Sequence, residues 1–302
     1  MKRIAQAVKA TFLVSVCFIS SARFALAGDL AEVLQRGELR HLGIPYANFV
    51  TGSGDGMDVD IMRGFAESLG VKYRFVQSDW AHIFPDLLGQ TVTRKGDEVL
   101  LGDKTEIKGD VIANGLTVLP WRQKIVDYST PTFPSQVWLV ARAESAVTPI
   151  SGGRSVAEDI VQTKGKIGNN SLLVLEQTCL DPALYNLNNK GYTIKPYTRS
   201  SNLNEMVPAI LNRDAELTLL DVPDAMMDLA KWSGRIKVIG PVSDEQVMGV
   251  AFAKSAPELR AKFNLYLQKI RDDGTYDQLI RKYYPGIATY FPAFFQTYGK
   301  SH

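Results

Sequence analysis

One segment of this chain carries residues suited to holding a small anion. Residues 109–131 read GDVIANGLTVLPWRQKIVDYSTP. Val111, Ile112 and Ala113 form an apolar run that predicts a strand, and Gly115, Thr117 and Arg122 follow just past its end. A parallel sheet leaves its ligand crevice beyond the C-terminal ends of its strands. Arg122 is the side-chain type best built to grip a carboxylate with two parallel hydrogen bonds. Thr117 offers a hydroxyl donor, and Gly115 lets the backbone approach a ligand closely. The second half of the chain holds two comparable positions. Thr178 follows the apolar run 171–176 and precedes a helix expected over 180–187. Unpaired N–H groups at such a helix start attract an anion, although a Thr there also serves simply as a cap. Asp221 closes the apolar run 216–220 and so faces the crevice; its alternative role is to cap the helix expected over 225–229, which Asp224 suits better by position. Tyr46, Trp80 and Phe49 are the aromatics placed to pack either on a ligand or in the core.

These residues need a scaffold that brings distant strand ends together. A short helix is expected over 29–36, stopped by Gly37, and then a strand over 39–44. Residues 58–69 place Val59, Met62, Phe65, Ala66 and Leu69 on one helical face, with Gly70 as the stop. A strand over 71–77 and a helix over 80–88 continue a βαβ rhythm, which implies an α/β fold with a mostly parallel sheet. Residues 90–108 interrupt that rhythm. They carry Lys95-Gly96-Asp97 and Gly102-Asp103 between alternating runs, the pattern of one or two β-hairpins. The insert is either a solvated decoration or a docking surface or lid near the cleft. Residues 136–142 read as a strand crossing between two lobes, and the polar stretch 144–153 suits a boundary. A helix over 203–211, a returning strand over 248–253 and an amphipathic helix over 257–271 complete the pattern.

The first 27 residues read as a secretory leader. Lys2, Arg3 and Lys9 precede an apolar run over 10–20, and Ala25-Leu26-Ala27 supplies small residues at the cleavage spacing. Cys17 raises the alternative of a lipoprotein, and an uncleaved anchor is a third reading. The 302-residue chain has a formal charge of +2; removing four basic leader residues leaves 30 basic against 32 acidic side chains. That balance gives no reason to expect nucleic-acid binding. Cys179 is then the single remaining thiol, expected buried and inert, and no group of His, Cys or acidic residues has metal-ligand spacing. About 275 mature residues exceed one comfortable core, so two lobes are expected: residues 28–140 with the insert 90–108, residues 141–247, and a return segment 248–302 that rejoins the first.

The order of Gly115, Thr117, Pro120, Arg122, Asp127, Ser129 and Pro131 resembles the segment "aGlTvTpeR…vdFSxPY" of bacterial extracellular solute-binding proteins of family 3. Gly37, Leu39, Arg40, Gly43, Asp58, Asp60, Leu69, Gly70, Val71, Trp80, Pro85 and Leu87 follow the same family's first-lobe pattern. Lys254, Asp273-Gly274-Thr275-Tyr276 and Lys282-Tyr283-Tyr284 follow its closing one, so the likeness runs from about residue 30 to 285. The resemblance implies a two-lobed periplasmic-binding-protein fold of type II, with a ligand cleft between lobes. It implies capture of an amino acid or related small carboxylate and delivery to the permease of an ABC importer, with no cofactor and a monomeric chain. By the same carry-over, Arg122 and Thr117 hold the ligand's carboxylate and Asp221 its ammonium group. Three departures stand out: the insert, Gln177 where the family has Gly before Thr178, and Trp121 beside Arg122 in place of the usual Glu. Two other classes share the likeness. The N-terminal domain of membrane-bound lytic transglycosylase F is a sensory or regulatory module, although this sequence ends at His302, too early for the catalytic domain. Periplasmic cyclohexadienyl dehydratases use a cleft carboxylic acid, and Glu176 lies near that region.

Overall fold

Local signals set the first elements. Asp29 caps helix α1 (Leu30–Arg36) by accepting from the Leu30 N–H at 2.8 Å, and Gly37, at φ 69°, closes it in the left-handed conformation. The structure, a computed structural model, describes residues 28–96, 98–187 and 191–299. The leader with its Cys17, Asp97 of the insert turn and His302 lie outside them. In chain order there follow β1 (Glu38–Gly43), α2 (Met57–Ser68), β2 (Lys72–Gln77), α3 (Ile83–Leu88), β3 (Gln90–Lys95), β4 (Glu98–Lys104), β5 (Val111–Ile112), α4 (Pro120–Gln123), β6 (Val126–Tyr128) and β7 (Phe133–Ser135). The chain continues with β8 (Val137–Arg142), α5 (Val156–Ile167), β9 (Ser171–Val174), β10 (Thr193–Pro196), α6 (Met206–Leu211), β11 (Leu217–Asp221), α7 (Val222–Lys231) and β12 (Ile236–Pro241). It closes with β13 (Gln246–Met248), β14 (Ala251–Ala253), α8 (Pro257–Asp272), α9 (Thr275–Tyr283), α10 (Ile287–Tyr290) and α11 (Pro292–Tyr298).

Two five-stranded sheets organise the described residues, in the orders β2-β1-β5-β14-β6 and β10-β9-β11-β8-β12. Each has three parallel strands and then an antiparallel one. In the first sheet that strand is β14, which arrives from the far end of the chain; in the second it is β8, which arrives from the first lobe. The exchange runs through a two-stranded ribbon, β7 paired antiparallel to β13. β8 lies wholly in the second sheet. The fold is α/β with mixed sheets, consistent with two lobes.

The topology positions two strand ends. β5 and β11 each lie mid-sheet with a parallel neighbour, and their C-terminal ends carry residues 113–115 and Asp221. Asp110, fully buried just before β5, is held by Arg40 at 2.7 Å and Arg36 at 2.6 Å. That network pins the approach to β5 and gives the Arg40 position a structural role.

Three helix expectations change. The helix expected from residue 80 starts at Ile83, because the Asp79 carboxylate accepts from the Ala81 and His82 N–H groups and holds a turn there. The helix expected over 180–187 is a single 3₁₀ turn, Pro182–Tyr185, ended by Asn186 in the left-handed conformation. Asp221, not Asp224, occupies the cap position of α7, without a side-chain capping bond. The insert forms one hairpin, β3 with β4. The aromatic tail buries Phe291 and Phe294, and Tyr290 meets Trp138 of the second sheet edge-on at 6.1 Å.

Candidate functional site

Arg122 sits on the four-residue helix α4, started by Pro120, whose fixed φ suits the first helical turn. Its side chain folds back so that Nη1 donates to the Thr117 carbonyl at 2.9 Å. Trp121, Trp80 and Phe84 surround the guanidinium at 5.2, 5.4 and 5.8 Å from their ring centres. The side chain is 1% exposed, and neither Nε nor Nη2 has a hydrogen-bond partner among the described residues. Aromatic faces offset part of the cost of burying this cation, but they leave directional donors unused. An anion is the group that would use them.

Beside this cage lies a cavity of about 210 Å³, lined among others by Trp80, Phe84, Trp121, Arg94, Glu176 and Thr178. Its size fits a small metabolite better than a drug-sized molecule, for which pockets run to about 300–1,000 Å³. Both lobes contribute walls. Val92 and Arg94 of the hairpin also contribute, so one face of β3 borders the cavity while β4 is largely exposed. Their two-residue spacing put them on one face of β3, a signal present in the sequence but not taken up as a site. Arg94 stacks on Trp121 at 5.3 Å and reaches Asp181 of the second lobe at 3.2 Å. Asp181 in turn accepts from the N–H groups of Gln177 at 3.2 Å and Ala183 at 3.0 Å. The hairpin thus braces the turn that carries Thr178.

The remaining expected site residues divide. Trp80 lines the cavity and the Thr117 carbonyl holds Arg122. Thr178 lines the cavity too, but its hydroxyl donates to the Leu175 carbonyl at 2.7 Å and accepts from the Leu180 N–H at 3.0 Å. It works as a local turn residue, and no α-helix starts behind it to attract an anion. Gly115, at φ 62°, donates its N–H to Asp58 at 2.6 Å, and a Cβ there would lie 2.2 Å from the Phe49 ring. The glycine is therefore demanded by packing and backbone conformation. Burial pushes the Asp58 carboxyl up to about 7, against the lowering effect of the Gly115 N–H. Phe49 is core, packed against Phe133 and Tyr284 at 5.1 Å each.

Tyr46 and Asp221 meet each other. The Tyr46 hydroxyl donates to Asp221 Oδ1 across the cleft, and Cys179 Sγ lies 3.3 Å from Oδ2. A second bond between lobes runs from the Ala47 N–H to Asn204 Oδ1 at 3.1 Å. Desolvation raises the Asp221 carboxyl and raises that of neighbouring Asp224 further, with the charges of Asp221 and Asp228 adding to the effect. Asp224 is fully buried, and neither of its oxygens has a partner among the described residues. The Cys179 and Asn114 side chains were not singled out as site residues from the sequence. Cys179 is buried as expected, and Asn114 leaves both polar side-chain atoms unpartnered at the end of β5.

The model of bacterial extracellular solute-binding proteins, family 3, matches residues 100–286, and the chain belongs to that family. A probable amino-acid ABC transporter-binding protein from Haemophilus influenzae is 23% identical over 275 residues, covering 86% of this chain and 90% of that protein. A membrane-bound lytic murein transglycosylase F from Desulfosudis oleivorans is 23% identical over 239 residues. That match covers 78% of this chain but 45% of the transglycosylase, so the chain spans less than half of that relative. Among solved structures, a mutant of ArgBP from T. maritima superposes with a TM-score of 0.66 at 23% identity, covering 84% of this chain and 98% of the other. The ancestral amino acid-binding protein AncCDT-1, described as a precursor of cyclohexadienyl dehydratase, does so at 0.64 and 24%, with the same coverages. At this identity the two structures establish the shared fold, that of type II periplasmic amino-acid-binding proteins.

Proposed function

We propose that this protein captures an amino acid or related small carboxylate in the periplasm and delivers it to the permease of an ABC importer. The observation that carries the reading is the buried, caged Arg122, with Nε and Nη2 unpartnered beside a small cavity walled by both lobes. A carboxylate seated there gains charge-assisted bonds in a site shielded from water. Binding that engages both lobes favours the closed arrangement over the open one, and a permease would read that difference. The Haemophilus relative's description agrees with this role. The protein acts as a monomer leaving its leader at Ala27, and Asp221, Tyr46 and Thr178 complete the closed site.

A thermal-shift screen of the purified protein against amino acids, dicarboxylates and 2-oxo acids tests the reading. A ligand at about a hundred times its dissociation constant adds roughly 2.7 kcal/mol, enough to move the midpoint by several degrees. Silence across such a panel would reject small-carboxylate capture. A second reading, a ligand-sensing module, is favoured by the 239-residue likeness to the transglycosylase; co-purification with a receptor instead of a permease would select it. Glu176 lines the cavity as an exposed residue, and incubation with prephenate or arogenate separates an enzyme from a binder by product formation.

A further inference from the structure

The two polar corners of the cleft are not equally free. We infer that the Tyr46 hydroxyl fills the ammonium seat at Asp221, so that this site selects small carboxylates lacking an α-ammonium group, 2-oxo acids foremost. The inference rests on the carboxylate-capture reading above and narrows its ligand class.

Three observations support it. Asp221 is 1% exposed, and its two oxygens face two neutral donors, the Tyr46 O–H and the Cys179 S–H. An ammonium group entering here must first displace the tyrosine. The cavity, second, is bordered by neither Tyr46, Asp221 nor Asp224; Arg122 does not line it either, but packs against Trp80, Phe84 and Trp121, which do. What lines it is an aromatic wall, Arg94, the turn at Thr178, and one acid, the exposed Glu176. Third, Arg122 keeps two donors, Nε and Nη2, without a partner among the described residues, whereas each Asp221 oxygen already has one. A ligand with a carboxylate and an uncharged body satisfies them and asks nothing of Asp221. Burial also pushes the Asp221 and Asp224 carboxyls upward, which weakens the fixed negative charge an ammonium would need.

Isothermal titration calorimetry on matched pairs reads this directly: phenylalanine with phenylpyruvate, leucine with 4-methyl-2-oxopentanoate, and glutamate with 2-oxoglutarate. The expected result is at least tenfold tighter binding of the 2-oxo acid in each pair that binds. Tyr46→Phe keeps the ring and removes the donor, so it should shrink that ratio several-fold by freeing Asp221. Equal or tighter binding of the amino acid by the unaltered protein overturns the inference and leaves the carboxylate clamp standing. An unchanged ratio in a folded Tyr46→Phe protein also overturns it. If Tyr46→Phe fails to fold, the ratio in the unaltered protein decides alone. Affinity left unchanged by Arg122→Ala, or no binding by any of the six compounds, overturns the clamp itself and the inference with it.

Discussion

The Arg122 corner and the Asp221 corner use opposite charges and opposite strategies. The first is built by one lobe: α4, the Thr117 carbonyl and three aromatic rings hold the guanidinium while two of its nitrogens stay unpartnered. The second is completed across the cleft, with a hydroxyl from the first lobe donating to a carboxylate of the second. A corner preformed within one lobe has its geometry ready before closure, which reduces the ordering cost of binding. A corner completed by the opposite lobe favours closure itself, and an entering ligand must compete with that contact.

The largest expected effect breaks the first corner. Arg122→Ala should cost about 2–5 kcal/mol of ligand binding, the range for truncating one partner of a buried hydrogen-bonded charge pair. Calorimetry with whichever carboxylate the screen yields would check it, and unchanged affinity would show that the two unpartnered nitrogens serve no ligand. Gly115→Ala tests the packing against Phe49 just past β5. A positive φ and a Cβ 2.2 Å from the Phe49 ring together should lower stability by about 2–3 kcal/mol, read as a drop in denaturation midpoint.

Asp58→Asn separates charge from shape at the same place. The folded state holds the Asp58 proton up to about pH 7, whereas the unfolded chain releases it near 4. The unaltered protein therefore loses stability at this residue as pH rises from about 4 to about 7. The Asn variant has no such proton, so its midpoint relative to the unaltered protein should rise with pH across that window, by the equivalent of about 3 kcal/mol. His41, pushed down to about 4 by burial, acts in the opposite direction in both proteins and cancels from the difference. Melting curves at pH 4.5 and 8 decide it; a pH-independent difference would contradict the raised carboxyl.

The smallest effect belongs to the brace between lobes. Arg94 and Asp181 are both mostly buried, and removing either should shift the open–closed balance by about 1 kcal/mol. Small-angle scattering of Arg94→Glu should show a larger radius of gyration, and adding Asp181→Arg should restore it. No change in either would leave the hairpin without a part in closure.

Much of this was legible in the chain itself. The spacing of Gly115, Thr117 and Arg122 after an apolar strand, the helix over 57–68 and the hairpin in the insert follow from periodicity and turn chemistry, which act over a few residues. The short 3₁₀ turn at Pro182–Tyr185 was not legible in that way, because alternating apolar residues there satisfy a helical pattern that the local capping bonds interrupt.

What the sequence determined by itself is therefore the family, the α/β architecture and the cation available to hold an anion, since residue type and local spacing carry that information. Only the tertiary structure decided which polar groups are already spent. Tyr46 and Asp221 stand 175 residues apart and Arg94 and Asp181 stand 87 apart, yet each pair meets across the cleft. A buried donor or acceptor must find a partner somewhere, and where it finds one depends on which lobes the swapped strands bring face to face.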